Sequence, residues 1–382
     1  VSVFEDISLA KLRGRASAKW TTYPADVLPA WVAEMDFPLA EPIKQRLRRA
    51  IDADDCGYAN PVALGEAFAS FARSRFKWAV DASRVRSAPE VMIAIAEILR
   101  IVTKPGDGVV INPPVYPPFA MVIEEVGRTI VEAPLAHVQG GGWDLDLDAL
   151  EKAFADGAKA YLLCNPHNPV GRVFEKSQLE AIAKLAKQYG VVVLSDEIHA
   201  PLVLPGAVHV PFVKVSEKIG TDAITITSAS KAFNIAGLKC ALFVAGSPAM
   251  QSALKKLPKE LPERVGLHGM LANIAAFQEG APYLDALLEQ LDRNRTLMAE
   301  LIGLYLPAVR YVPPQAGYLA WLDCSSLGIG DDPARLFLKK GKVALMRGLD
   351  FGRQGACFVR VNMGTSSAIL SEIVGRMGKA LD

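Results

Sequence analysis

Through the middle of the chain, short runs of apolar and β-branched residues alternate with stretches whose apolar positions recur at helical spacing. Runs at 109–111, 129–131, 160–163, 191–194, 223–227 and 241–244 predict strands. Over 62–76, Leu64, Ala67, Phe68, Phe71 and Ala72 share one helical face. An apolar helix is predicted from about Glu90 to Thr103, where Lys104-Pro105-Gly106 stops it, and Ser87-Ala-Pro-Glu90 reads as its capping box with proline in the first turn. Another helix, over 176–189, places Leu179, Ile182, Ala183 and Leu185 on one face and ends at Gly190. Strands that are apolar throughout and alternate with helices argue for an α/β fold, a mainly parallel sheet sandwiched by helices.

Beyond Pro282 the pattern changes. A long amphipathic helix is predicted to about Leu306, its face formed by Leu284, Leu287, Leu288, Leu291, Met298, Leu301, Ile302 and Tyr305. Strand-like segments follow at 318–323, 343–346 and 358–362, then a terminal helix from about Ser366, which together suggest a smaller α+β domain. Residues 1–45 look irregular, with tryptophans at 20 and 31 and several prolines. The expected division is an N-terminal arm and part of the small domain (1–45), a large domain (46–281) and a C-terminal small domain (282–382). Gly140-Gly-Gly142 reads as a loop tip.

Composition narrows the function classes. The 382 residues are 51% hydrophobic, enough for a large core, and Lys+Arg 42 against Asp+Glu 41 leaves a formal net charge of +1. No long run of one charge favours nucleic acid or an anionic membrane, and no apolar stretch approaches a membrane span. With charges early in the N-terminal segment, a cytoplasmic protein is expected. The five cysteines are odd in number and widely spaced, mostly in apolar segments, and read as reduced core thiols. The five histidines form no HExxH pair and combine with no CxxC, so no metal site is expected.

The chemistry lies where the strands end. In parallel sheets ligands sit beyond the carboxyl ends of the strands, and the polar motifs NPPVYPPF, NPHNPVG, SDEIHAP and SASK all follow predicted strands. No GxGxxG follows one, which disfavours a dinucleotide fold. Lys231, flanked by Ser228 and Ser230 with Lys239 downstream, suits a nucleophilic amine whose partner is a phosphorylated aldehyde, although a serine-rich turn is also ordinary loop chemistry. The backbone N–H groups of Glu90, Val91 and Met92 at a helix start could bind a phosphate. Asp196 could pair with a protonated pyridine nitrogen or simply cap the next turn. Asn168 could donate to a phenolate oxygen or serve a turn, and Tyr116 could stack on a flat ring or belong to the core. Arg360, alone in the strand FVRVN, needs either a ligand carboxylate or an internal acid. The segment WVAEMDFP, 31–38, reads either as a core-anchored loop or as part of the site.

Taken in order, Tyr116, NPxNPxG at 165–171, SDE at 195–197, SxSK ending at Lys231 and RxN at 360–362 resemble the fold type I pyridoxal-phosphate enzymes of the aspartate aminotransferase superfamily, over nearly the whole chain. Within it, WVAEMDF, GYANP (57–61), SDEIHAPLV, SKAFNIAGLK and GLDFGRQGACFVRVN resemble the MalY/PatB family of cystathionine β-lyases and cysteine-S-conjugate lyases. The resemblance implies that Lys231 holds pyridoxal 5'-phosphate covalently, Asp196 pairs with its ring nitrogen, Asn168 holds its phenolic oxygen and Tyr116 stacks on it. It implies a phosphate site from Ser228, Ser230 and the backbone at Val91 and Met92. Tyr58 would reach the phosphate of a neighbouring subunit, making a homodimer with shared sites. Arg360 would grip the carboxylate of a sulfur amino acid, with Trp31, Ala33 and Asp36 closing over it. Lys239 stands where many aminotransferases carry a phosphate-binding arginine, and His199 where many have a tyrosine, here supporting Asp196. The implied reaction is β-elimination to a thiol, pyruvate and ammonia; an aminotransferase or a cofactor-binding regulatory protein are the alternatives.

Overall fold

A computed structural model describes residues 3–382. Its centre is a seven-stranded sheet of β1 (Val85–Ala88), β2 (Gly108–Ile111), β3 (Thr129–Glu132), β4 (Ala160–Cys164), β5 (Val192–Asp196), β6 (Ala223–Thr227) and β7 (Ala241–Ala245), in the spatial order β1-β7-β6-β5-β4-β2-β3. All neighbouring pairs from β6 to β3 are parallel, and β7 runs antiparallel to both β6 and β1. The central strands β4 and β6 are buried at every position, on both faces. Ala160, Leu162 and Cys164 enter one hydrophobic cluster, and Tyr161 and Leu163 enter the other.

The helices that matter for the site are α1 (Glu41–Asp52), α2 (Val62–Phe76), α3 (Val91–Val102), α4 (Lys176–Tyr189), α5 (Leu267–Glu279), α6 (Ala281–Tyr305) and α7 (Ser367–Lys379). Gly190 ends α4 in the left-handed conformation, φ 67°, as its position predicts. The long helix after residue 280 and the terminal helix, capped by the Ser366 hydroxyl, also form where the pattern puts them. A second, antiparallel sheet takes β8 (Arg310–Tyr311), β9 (Leu319–Asp323), β10 (Met346–Arg347) and β11 (Phe358–Asn362), in the order β8-β9-β11-β10. Arg360 is thus central, opposite Trp321 on one side and Met346 on the other.

Four expectations change. Ser87 lies in β1, Pro89 precedes the helix, and Glu90 is the N-cap of α3 with no side-chain cap bond, so the capping box does not form. The first turn of α1 occupies residues 41–45, and short helices at Leu9–Arg13 and Ala18–Thr21 interrupt the supposedly irregular arm. The segment 343–346 is two strands: Val343–Ala344 pairs with Leu28–Pro29, whereas β10 pairs with β11. Of the cysteines, Cys164, Cys240 and Cys324 are buried, but Cys56 is exposed and Cys357 only half-buried. Among the described residues no helix is long and apolar enough to cross a membrane.

The arm is fastened by a buried ion pair, Lys19 Nζ to Asp36 at 2.8 Å, both side chains almost wholly excluded from solvent. Lys19 also donates to the Glu34 carbonyl at 3.0 Å, and Trp20 Nε1 to Asp36 at 3.0 Å. Removing one partner strands the other charge, so Lys19→Ala is expected to cost about 3–5 kcal/mol in chemical denaturation, and Lys19→Met with Asp36→Leu distinctly less. A loss below about 1 kcal/mol in the single variant would contradict this.

Candidate active site

The parallel strands β4 and β5 end side by side at Cys164 and Asp196, with β6 running on from Thr227 to Lys231. The loops beyond them enclose a cavity of about 400 Å³ that reaches from α3 across to β11. Tyr116, Asn168, Asp196, His199, Ser228, Ser230, Lys231 and Arg360 all line it. So do Trp31, Ala33, Val91, Met92 and Lys239. Asn168 is positioned by a tight loop in which His167 N–H donates to the Arg172 carbonyl at 2.8 Å and Gly171 N–H to the His167 carbonyl at 2.7 Å. Gly171 has φ +69°, and a Cβ there would fall 2.3 Å from Pro314, so both conformation and space demand glycine.

Arg360 is 3% exposed and pairs with no carboxylate among the described residues. Its Nη1 donates to Asn168 Oδ1 at 3.0 Å and its Nη2 to the Trp31 carbonyl at 2.9 Å, while Nε has no partner. Its guanidinium lies 5.0 Å from the Phe351 ring centre. Burial lowers its pKa to about 10. An internal acid is therefore not the answer to this buried cation.

The Asp196 carboxylate accepts one hydrogen bond, from Ile198 N–H at 3.1 Å, so it does cap the following turn. That bond does not offset its burial, which raises the carboxyl to about 7. Lys231 faces the cavity, where its Nζ donates to the Ala33 carbonyl at 3.1 Å. Desolvation, reinforced by the Arg360 charge, brings the amine down to about 8 against the pull of Asp196. His199 is buried, and desolvation with the Lys231 and Arg360 charges takes it down to about 3, so its imidazole is neutral. Burial, then the Asp196 charge, raises the Tyr116 phenol.

Three sequence-based expectations, those for Asp36, Ser228 and Lys239, meet a different geometry. Asp36 does not reach the cavity, because its carboxylate is consumed by Lys19 and Trp20. Ser228 lines the cavity, but its hydroxyl donates to the Cys240 carbonyl at 2.6 Å and accepts from Ser230 N–H at 3.0 Å, so its proton braces the turn. Tyr58 stands 94% exposed, outside the cavity of its own chain. Lys239 is at the cavity wall but pairs with Glu90 at 2.9 Å.

The sequence reading missed what holds the 31–36 strap. Asn362 Nδ2 donates to the Val32 and Glu34 carbonyls at 2.8 and 2.6 Å, Tyr318 OH to the Ala33 carbonyl at 3.0 Å, and Asn234 Nδ2 to the Met35 carbonyl at 2.8 Å. A buried asparagine next to Arg360 in an apolar strand was the available signal.

The profile of the aminotransferase class I and II family matches residues 40–377. The chain belongs to that family. A Mycobacterium leprae relative is 43% identical over 99% of this chain and 98% of its own. Cystathionine beta-lyase PatB of Bacillus subtilis is 35% identical, covering 96% of this chain and 97% of PatB. Among solved structures, cystalysin from Treponema denticola, which contains a pyridoxal 5'-phosphate cofactor, superposes with a TM-score of 0.91 at 28% identity, covering 100% of this chain and 98% of that one. The seven-stranded sheet flanked by helices is thus the fold of the pyridoxal-phosphate aminotransferases, fold type I.

Asp196 gives this family member a pH signature. Its folded pKa is raised from 3.8 to about 7, so the folded state holds an extra proton between those values. The penalty of burying the carboxylate is absent below the window, grows as pH rises through it, and is complete above about 7, where it amounts to about 4 kcal/mol at most. In ligand-free protein, Asp196→Asn should therefore raise the unfolding temperature at pH 8 and much less at pH 5. Lower stability of the variant at pH 8 would refute the assignment.

Proposed function

We propose that this chain is a pyridoxal-phosphate-dependent carbon–sulfur lyase. It cleaves cystathionine or another cysteine S-conjugate by β-elimination, yielding a thiol (homocysteine from cystathionine), pyruvate and ammonia. The observation that carries this reading is Arg360, a buried guanidinium without an acid, in one cavity with Lys231 and Asp196. The identity to PatB, a cystathionine beta-lyase, supports elimination over transamination.

The residues fit the cofactor. Asp196 is a desolvated carboxylate with a single backbone donor, and a protonated ring nitrogen would supply its missing cation. Glu90 leaves the first turn of α3 uncapped by its side chain, so the N–H groups at Val91 and Met92 remain for a phosphate, together with Ser230 and the Ser228 turn. Asn168 has its oxygen engaged by Arg360, which leaves its amide N–H groups for a phenolic oxygen, and Tyr116 offers a ring face. When bound, pyridoxal phosphate supplies an aldehyde that condenses with amines and a protonated ring that withdraws electrons from the carbon bearing the amine.

Around that chemistry the chain's own groups have definite tasks. Lys231 Nζ, with its pKa lowered to about 8, holds a useful neutral fraction near neutral pH and can take the Cα proton. The same Nζ can then return a proton to the departing sulfur. Arg360 binds the substrate carboxylate by exchanging its Asn168 and Trp31 acceptors for the two carboxylate oxygens. The strap at Trp31 and Ala33 covers the site and limits water. His199, neutral, lines the same cavity as Asp196 without adding charge.

The reading extends to assembly. The exposed Tyr58, with Val62 also 69% exposed beside it, suits a homodimer in which each tyrosine completes the neighbouring cavity. Residues 1–45 and 282–382 would form the smaller domain beside 46–281, and the enzyme would work in the cytoplasm. Incubation with cystathionine and cofactor, without any keto acid, should release homocysteine and pyruvate; strict dependence on a keto acid would overturn the lyase reading. Lys231→Ala should lower turnover by about a thousandfold or more and abolish the visible absorbance of bound cofactor.

A further inference from the structure

Glu90 and Lys239 meet at the cavity wall, Oε1 to Nζ 2.9 Å, each about half exposed. Neither has a task in the chemistry above. Glu90 is the N-cap of α3, yet its carboxylate accepts nothing from the N–H groups of its own first turn and turns to Lys239 instead. Lys239 has little backbone freedom. It sits in the left-handed conformation, φ 58° and ψ 70°, rare for a residue with a side chain. On one side of it the Leu238 carbonyl lies 2.0 Å from where a Cβ on Gly269 would stand, and on the other the Cys240 carbonyl is held by Ser228 at 2.6 Å. From that fixed backbone its ammonium takes Glu90 as its partner.

We propose that Glu90 restrains cofactor retention by holding Lys239 in a neutral pair beside the phosphate subsite. The inference rests on reading the cavity as a pyridoxal-phosphate site. A phosphate ester carries a charge of about −1.5 to −2. A free lysine at that wall would attract it, a free glutamate would repel it, and the pair as found does nearly neither. Three signs follow. Without the carboxylate, the whole Lys239 charge serves the phosphate and binding tightens. Without the ammonium, Glu90 faces the phosphate and binding loosens. With both removed, binding returns close to that of the wild type. If Glu90 instead served to aim Lys239 at the phosphate, its removal would loosen binding, so the sign decides between the two.

The test is titration of the cofactor-free, full-length protein with pyridoxal phosphate and, separately, with pyridoxal, followed by visible absorbance. Glu90→Gln, and equally Glu90→Ala, should lower the Kd for pyridoxal phosphate about three- to tenfold, and Lys239→Gln should raise it by a similar factor. The double variant should lie within about threefold of wild type, and Kd for pyridoxal, which lacks the phosphate, should not respond to any of them. Wild-type protein that binds pyridoxal phosphate, with Glu90 variants that bind it equally or more weakly, would overturn the proposal alone. An equal shift with pyridoxal would also overturn it, since the effect would then not act on the phosphate. Wild-type protein that takes up no pyridoxal phosphate would overturn the cofactor reading beneath it.

Discussion

Arg360 is a guanidinium removed from water that meets no carboxylate among the described residues, and the arrangement of the site follows from how the chain tolerates that. A buried cation is costly unless its donors are satisfied. Here the amide oxygen of Asn168 and the carbonyl of Trp31 satisfy two of them. Such neutral acceptors hold the side chain without cancelling its charge. The positive potential stays in the cavity, where it adds to the desolvation that depresses the Lys231 amine and the His199 imidazole. A site built this way leaves a cationic charge uncancelled.

The strap at 31–36 supplies the acceptors, so much of the surrounding structure is concerned with fixing it. Its carbonyls turn inward to Arg360 and Lys231, and Asn362, Asn234 and Tyr318 grip it from behind. The Lys19–Asp36 pair closes its far end. Asn362 and Arg360 belong to one strand, β11, so the second sheet both presents the guanidinium and positions the carbonyl that receives it. Charge is arranged differently at the cavity wall beside α3. There Glu90 and Lys239 neutralise one another in partial contact with solvent, where the interaction is screened and adjustable.

Much of this was legible in the sequence because it follows from local chemistry. Strands buried on both faces must be largely apolar, and β4, β5 and β6 are so apart from Ser195, Asp196, Thr225 and Thr227. Polar motifs directly after such strands had to gather at one edge of the sheet, which brought Asn168, Asp196 and Lys231 together. Arg360 stood out because an arginine within an apolar strand has no local partner. What escaped depends on contacts between distant segments. Asp36 looked available because nothing in the 31–38 loop reveals that Lys19 is aimed at it. Ser228 resembled a phosphate ligand until its proton was seen to belong to Cys240. The Glu90 carboxylate was read as half of a capping box, although its partner lies on another loop. Tyr58 acquires a task only if a second chain supplies the cavity.

Whether this cavity breaks a carbon–sulfur bond is read from the products of a single substrate. An S-substituted cysteine should be incubated with the cofactor-loaded enzyme and the thiol, pyruvate and sulfur-containing keto acid measured together. Elimination predicts thiol and pyruvate in equal amounts, with no keto acid that retains the sulfur. A keto acid with its carbon–sulfur bond intact as the main product would contradict the account.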